Sequence, residues 1–277
     1  MSYQRILVVQ DISCVGQCSL TVALPILSAC GLETAILPSA VLSTHTGGDF
    51  KGYTFRDLTD DIPAICAHWQ RQGIMFDALY TGYLGSPRQV EMVEHIMQTL
   101  VKPGGLKIVD PAMADNGRLY AGFDDEYVDA MRRLCRAADV ILPNITEAAL
   151  LTKRPYRESY DEDYIRSLLD GLSALGARHV VLTGVSYQPD TLGVLVCEED
   201  TVTYCPHRRI DRMFHGTGDV YASAFTGALL HGRTLVDAAK IAADYTLACI
   251  ENTVDAPEHW YGVRFEPVLP RLIELLK

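Results

Sequence analysis

Short apolar runs and longer amphipathic stretches alternate along the first two thirds of the chain. The runs "RILVVQ" (5–10), "TAILPSAVL" (34–42), "FDALYTG" (76–82), "LKIVD" (106–110), "ADVILPN" (138–144) and "HVVLTG" (179–184) are rich in β-branched residues and read as strands. Between them, 19–30, 57–72, 87–100, 124–137 and 161–175 carry apolar residues at helical spacing. This alternation predicts an α/β fold with a central, mostly parallel sheet covered by helices on both faces. The pattern then changes. "TLGVLVCEEDTVTYCPHRR" (191–209) predicts a hairpin turning at 198–200, and 218–231, 234–252 and 265–276 predict three helices. No repeat, low-complexity tract or linker interrupts the series, so one domain over 1–277 is the simplest organisation.

Composition narrows the function. With 48% apolar and 21% charged residues the chain has an ordinary globular make-up and length enough for a sizeable core. A formal charge of −11 argues against nucleic acid or an anionic membrane as partner. An anionic substrate must then be held by local features. No apolar run has bilayer length and the start "MSYQRILVVQD" lacks a cleavage pattern, which predicts a cytoplasmic protein. The eight cysteines contain no C-x-x-C pair and read as thiols, most of them buried.

Five strand ends are polar or glycine-bearing: "VVQDISCVGQ", "LYTGYLGS", "IVDPAMADNG", "ILPNITE" and "VLTGVS". Ligands of open parallel sheets bind beyond the carboxyl ends of the strands, so these stretches predict one shared cleft. The segment "MFHGTGDVYASAFTGALLHG" (213–232) adds the chemistry. Gly216, Thr217 and Gly218 lead into a helix whose first N–H groups lack partners and favour an anion. Asp219 stands at that start, where a carboxylate can take the proton of an attacking hydroxyl. Taken alone, the motif reads first as Thr217 or Asp219 capping a buried helix. "ILPNITEA" sets Asn144 three residues before Glu147, which reads as a capping pair or as oxygen ligands ordering Mg²⁺ through water. Asp110 ends a strand, and the polar loop after it reads as a turn or a mobile cover.

In order along nearly the whole chain, "ILVVQDISCVGQ", "LSTHTGG", "YTGYLGS", "VDPAMADNG", "ILPNITEA" and "HGTGD" resemble the ribokinase superfamily, and within it the pyridoxal/pyridoxamine kinases. The resemblance implies a ribokinase-like three-layer fold, usually a homodimer. It implies ATP and a vitamin B6 vitamer as substrates, Mg²⁺ as cofactor, and a monovalent cation as a second candidate. It makes Asp219 the catalytic residue beside an anion hole of Gly216, Thr217 and Gly218. Asp11, Ser13, Thr46 and Tyr83 match the vitamer side. Asp110, Asn144 and Glu147 match the metal and ATP phosphates, and Thr183, Arg208, Arg209 and Ile210 the nucleotide. Asp115 and Tyr120 fall in the covering loop. The chain departs from the pattern at Asp11, where many relatives have serine and where an acid would tilt the preference toward pyridoxamine. It departs also at Ala114, often glycine, and at Thr183, where some members have a nearby lysine. Two alternatives stand beside this reading: a hydroxymethylpyrimidine kinase and a non-catalytic nucleotide or vitamin sensor on the same fold.

Overall fold

The computed structural model describes residues 3–199, 201–212 and 214–277. Nine strands form one sheet, in the order β11-β10-β9-β8-β5-β4-β1-β2-β3. The parallel centre is β2 (Glu33–Leu42), β1 (Arg5–Ser13), β4 (Phe76–Thr81), β5 (Val101–Val109), β8 (Val140–Ile141) and β9 (His179–Val185). Antiparallel strands close both edges: β3 (Phe55–Asp57) on one side, β10 (Thr191–Glu198) and β11 (Thr201–Arg208) on the other. The predicted hairpin is therefore present, although its turn includes Asp200, which lies outside the described residues.

Strand alternation sorts the core into two layers, because successive side chains point to opposite faces. Leu7, Val9, Leu79 and Val109 pack under α2 (Ile62–Arg71), α3 (Pro87–Thr99), α4 (Asp125–Ala137), α5 (Ile145–Leu151) and α6 (Glu162–Leu175). Ile6, Val8, Tyr80 and Ile108 pack under α1 (Leu20–Ala29), α7 (Thr217–Leu230), α8 (Leu235–Glu251) and α9 (Leu269–Leu275). Buried Ala222, Ala224 and Ala228 let α7 lie close against α1 and α8. Six of the eight cysteines lie in these two layers. Among the described residues no helix is long and apolar enough to cross a membrane.

Two short strands missing from the sequence reading, β6 (Ala114–Asp115) and β7 (Arg118–Leu119), form a hairpin over the carboxyl end of the sheet. The helix expected over 57–72 starts only at Ile62, because 55–57 pairs with β2 instead.

Candidate active site

The first turn of α7 is set by one glycine. Gly216 is the N-cap residue, with φ at 74°, and a Cβ there would lie 1.6 Å from the Gln17 carbonyl oxygen. No side chain fits that position. Thr217, Gly218 and Asp219 then open the helix. Among the described residues no carbonyl accepts from the amides of 216–219; the first amide to turn back is Val220, which donates to the Gly216 carbonyl at 3.0 Å. A Cβ on Gly218 would meet nothing within 4 Å, so this side of the turn is open. Free amides at the positive end of a helix dipole suit a phosphoryl group.

Asp219 is partly buried. Burial pushes its carboxyl up to about 7, opposed by the Ser19 amide and reinforced by the negative charge of Asp11. Asp110, directly after β5, accepts no hydrogen bond on its carboxylate among the described residues. Burial, then the charges of Glu147 and Asp219, hold it well above the usual carboxylate range. Glu147 is likewise raised, first by burial.

Asn144 and Glu147 form a reciprocal capping box at α5. Both side chains also reach the β5–β6 loop: Glu147 Oε1 accepts from the Met113 amide at 3.1 Å, and Asn144 Nδ2 donates to the Ala114 carbonyl at 2.9 Å. Among the described residues no three His, Cys, Asp or Glu side chains gather closely enough to enclose a metal ion. Asp110, repelled by both Glu147 and Asp219, nevertheless fits beside a divalent ion that fills its shell with phosphate oxygens and water, as Mg²⁺ does.

The β6–β7 hairpin is tied down by Thr146, whose Oγ1 accepts from the Gly117 amide at 3.0 Å. Gly117 has φ at 75°, and a Cβ there would sit 2.6 Å from the Tyr156 ring. Asp115 is exposed and takes the Asn116 amide at 2.8 Å, a bond local to the hairpin tip. Tyr120 is 41% exposed and donates its amide to the Met113 carbonyl at 2.9 Å; partial desolvation of its hydroxyl, with the charges of Glu147 and Asp110, pushes the phenol up from its ordinary value. Ala114 is fully buried, so its departure from glycine leaves no exposed methyl.

On the other side of the cleft, Asp11 and Ser13 are buried at the end of β1, and Ser13 Oγ donates to Asp11 at 3.0 Å. Tyr83, after β4, stacks on Phe123 at 5.5 Å, and Phe123 on Tyr127 at 3.7 Å. Burial pushes the Tyr83 phenol up to about 12. Thr46 is exposed in a loop pinned by His45. The Gly47 amide donates to His45 Nδ1 at 3.1 Å, so Nε2 carries the proton given to the Tyr261 carbonyl at 2.8 Å.

The nucleotide-side residues are less uniform. Thr183 lies within β9, not after it, and its amide and hydroxyl both donate to the Pro143 carbonyl, at 2.9 and 3.3 Å. Arg208 is paired with Glu251. Arg209 is exposed and makes no ion pair among the described residues, while its amide donates to the Asp190 carbonyl at 2.9 Å. The Ile210 carbonyl accepts the Arg212 amide at 2.8 Å, and Arg212 lies over the Phe214 ring. Sequence reasoning missed Ser19, Thr146 and Phe123. Thr146 sits inside the "PNITE" motif, which offered a signal, whereas nothing in the sequence marks Ser19 or Phe123.

Residues 52–263 match the family model described as phosphomethylpyrimidine kinase. The pyridoxine/pyridoxal/pyridoxamine kinase of Bordetella bronchiseptica is 30% identical over 263 residues, covering 87% of this chain and 86% of the relative. The structure of pyridoxal kinase from Lactobacillus plantarum superposes with a TM-score of 0.91 at 37% identity, over 99% of this chain and 98% of that one. A Bacteroides thetaiotaomicron protein described as a phosphomethylpyrimidine kinase, crystallised with pyridoxal, gives 0.91 at 38% identity, over 98% and 96%. With these matches spanning the strand ends and the α7 turn, the chain belongs to the phosphomethylpyrimidine kinase family, in the branch of the ribokinase superfamily that holds the vitamin B6 kinases.

Proposed function

We propose that the protein transfers the γ-phosphoryl group of ATP to the 5′-hydroxymethyl group of a vitamin B6 vitamer. The observation that carries this reading is the α7 turn, where amides with no carbonyl acceptor among the described residues stand beside a partly buried carboxylate. The amides of 216–219 donate to the oxygens of the migrating phosphoryl, whose charge they neutralise at a fixed position. Asp219 accepts the proton of the 5′-hydroxyl as that oxygen attacks phosphorus. Its raised proton affinity matches it to neutral pH better than an exposed aspartate would be.

Asp110 and Glu147 would hold Mg²⁺, partly through water, with Asn144 ordering Glu147 through the capping box. The ion, when bound, neutralises the ATP phosphates. The β6–β7 hairpin, with Asp115 and Tyr120, covers the transfer and excludes water, which would otherwise compete as acceptor. Thr183, Arg209 and Ile210 line the nucleotide side, while Thr46 and Tyr83 face the pyridine ring. Arg208 serves Glu251 instead of a phosphate. Relatives also include the hydroxymethylpyrimidine/phosphomethylpyrimidine kinase of Bacillus subtilis, 27% identical over 225 residues, which keeps the pyrimidine alternative testable.

ADP release with MgATP and each of pyridoxal, pyridoxine, pyridoxamine and hydroxymethylpyrimidine decides between the readings. Turnover of a B6 vitamer with the highest kcat/KM is the expected result. Faster turnover of the pyrimidine refutes it in favour of the thiamine-type substrate, and binding without turnover refutes it in favour of a sensor.

A further inference from the structure

The covering hairpin reaches the vitamer side of the cleft through one ring, that of Phe123, which stands between β7 and α4. The Phe123 amide donates to the Tyr120 carbonyl at 3.2 Å, and the Tyr120 amide to the Met113 carbonyl at 2.9 Å. The Met113 amide in turn donates to Glu147 Oε1 at 3.1 Å. Three hydrogen bonds thus lead from a candidate metal acid, along the base of the hairpin, to Phe123.

The ring itself stacks on two others. Tyr127 lies parallel to it, at 3.7 Å and 6°, and Tyr83 stacks on it at 5.5 Å and 24°. The backbone beside Tyr83 is fixed by groups outside the hairpin. Tyr127 is buried, and its hydroxyl donates to the Leu84 carbonyl at 2.7 Å. Ser39 Oγ donates to the Tyr83 carbonyl at 3.2 Å, and the Gly85 amide donates to Gln89 Oε1 at 2.6 Å. The Tyr83 ring has no such fastening: Phe123 is its one ring partner among the described residues. The main chain is therefore set by the scaffold, while the ring leans on a residue of the cover.

A helix cap alone does not account for this arrangement. Asp124 caps α4 by accepting the Tyr127 amide at 3.1 Å, and an apolar residue just before a cap commonly packs on the first turn of its own helix. The Tyr127 contact fits that role. The Tyr83 contact does not, because Tyr83 belongs to a different strand end. We propose that Phe123 is a positioning residue that makes nucleotide and vitamer binding cooperative. This rests on the B6 kinase reading above, in which Tyr83 faces the pyridine ring and the hairpin covers the phosphates. A nucleotide that holds the hairpin down holds Phe123 against Tyr83. Tyr83 then presents its ring in one orientation, and the vitamer no longer bears the entropy of ordering it. By linkage, the vitamer strengthens nucleotide binding by the same factor.

The test is the calorimetric Kd of pyridoxal, with and without saturating Mg²⁺ and the β,γ-imido analogue of ATP, in wild type, Phe123→Leu and Phe123→Tyr. In wild type the analogue is expected to tighten pyridoxal binding by about 5-fold or more. Phe123→Leu should cut that factor by about 2- to 10-fold, the worth of an aromatic pair, and leave the Kd of the analogue alone unchanged. Phe123→Tyr keeps the stack and should keep the factor. Weaker binding of both ligands with the factor intact would assign Phe123 to the fold and overturn the proposal. If Phe123→Leu does not fold, hydrogen exchange in wild type decides: the analogue alone should slow exchange at 83–85, and unchanged exchange there overturns the proposal. Independent binding of the two ligands by wild type sinks this inference alone. Binding of neither sinks the kinase reading together with it.

Discussion

The backbone amide of Asn144 donates to Glu147 Oε2 at 2.9 Å while the Glu147 amide donates to Asn144 Oδ1 at 2.9 Å. The two side chains also hold Met113 and Ala114, so one helix cap fixes the root of the β6–β7 hairpin. Asn144→Ala should therefore cost about 0.5–2 kcal/mol of stability and loosen the hairpin. Hydrogen exchange over 113–119 is expected to accelerate more than exchange in α8. Uniform exchange across both would break the link between cap and cover.

Asp219 is the candidate proton acceptor. Asp219→Asn should lower kcat by about 10²- to 10⁴-fold while ATP still binds, because the amides that hold the phosphoryl are backbone groups. Steady-state kinetics and nucleotide titration of the same preparation check this. Near-native turnover would remove Asp219 from the mechanism.

Two glycines separate folding from catalysis. A side chain at Gly216 meets the Gln17 carbonyl and an unfavourable φ, so Gly216→Ala should lose a few kcal/mol and with it the turn. Gly218→Ala meets open space and should keep the Tm within a few degrees while raising KM for ATP or lowering kcat, since the methyl enters the phosphate's approach. Equal effects of the two on Tm would contradict this geometry.

Stability and catalysis should respond to pH in opposite directions. Asp219 is raised to about 7, and Asp110 and Glu147 are raised as well, burial leading in each case. A carboxyl with a folded pKa above its unfolded value stabilises the fold while protonated, and that contribution is lost as pH rises through the folded value. For the ligand-free protein, Tm should fall between roughly pH 5 and pH 8, with a shallower fall in Asp219→Asn and after adding Mg²⁺. Turnover, which needs the ionised base, should climb over the same interval. A Tm rising steadily across that range would contradict the buried-carboxylate account.

The arginines beyond β11 should differ. Arg209→Ala is expected to raise KM for ATP about 3- to 10-fold, whereas Arg208→Ala should alter it little, because Arg208 is already paired with Glu251. Initial-rate kinetics in ATP check both; a larger effect at Arg208 would reverse the assignment.

Most of the sheet was legible because its strands are buried on both faces and must be apolar throughout. The run 34–42 corresponds almost residue for residue to Glu33–Leu42. The strand read at 106–110 actually begins at Val101, hidden because Lys102, Pro103 and Gly104 are exposed. β6 and β7, two residues each, are too short to leave a periodic pattern, and all three residues of β3 are exposed.

Apolar runs and polar strand ends predicted Asp11, Tyr83, Asp110, Asn144 and Thr183 at the same edge of a parallel sheet, since burial and alternation are written in residue order, and the glycine-rich start of α7 added Asp219. Which of these groups touch was settled by folding alone. That Asn144 and Glu147 anchor a covering hairpin and that Arg208 is tied to Glu251 depend on segments distant along the chain. Hydrogen-bond partners are chosen by distance and angle in three dimensions, and no one-dimensional pattern records that choice.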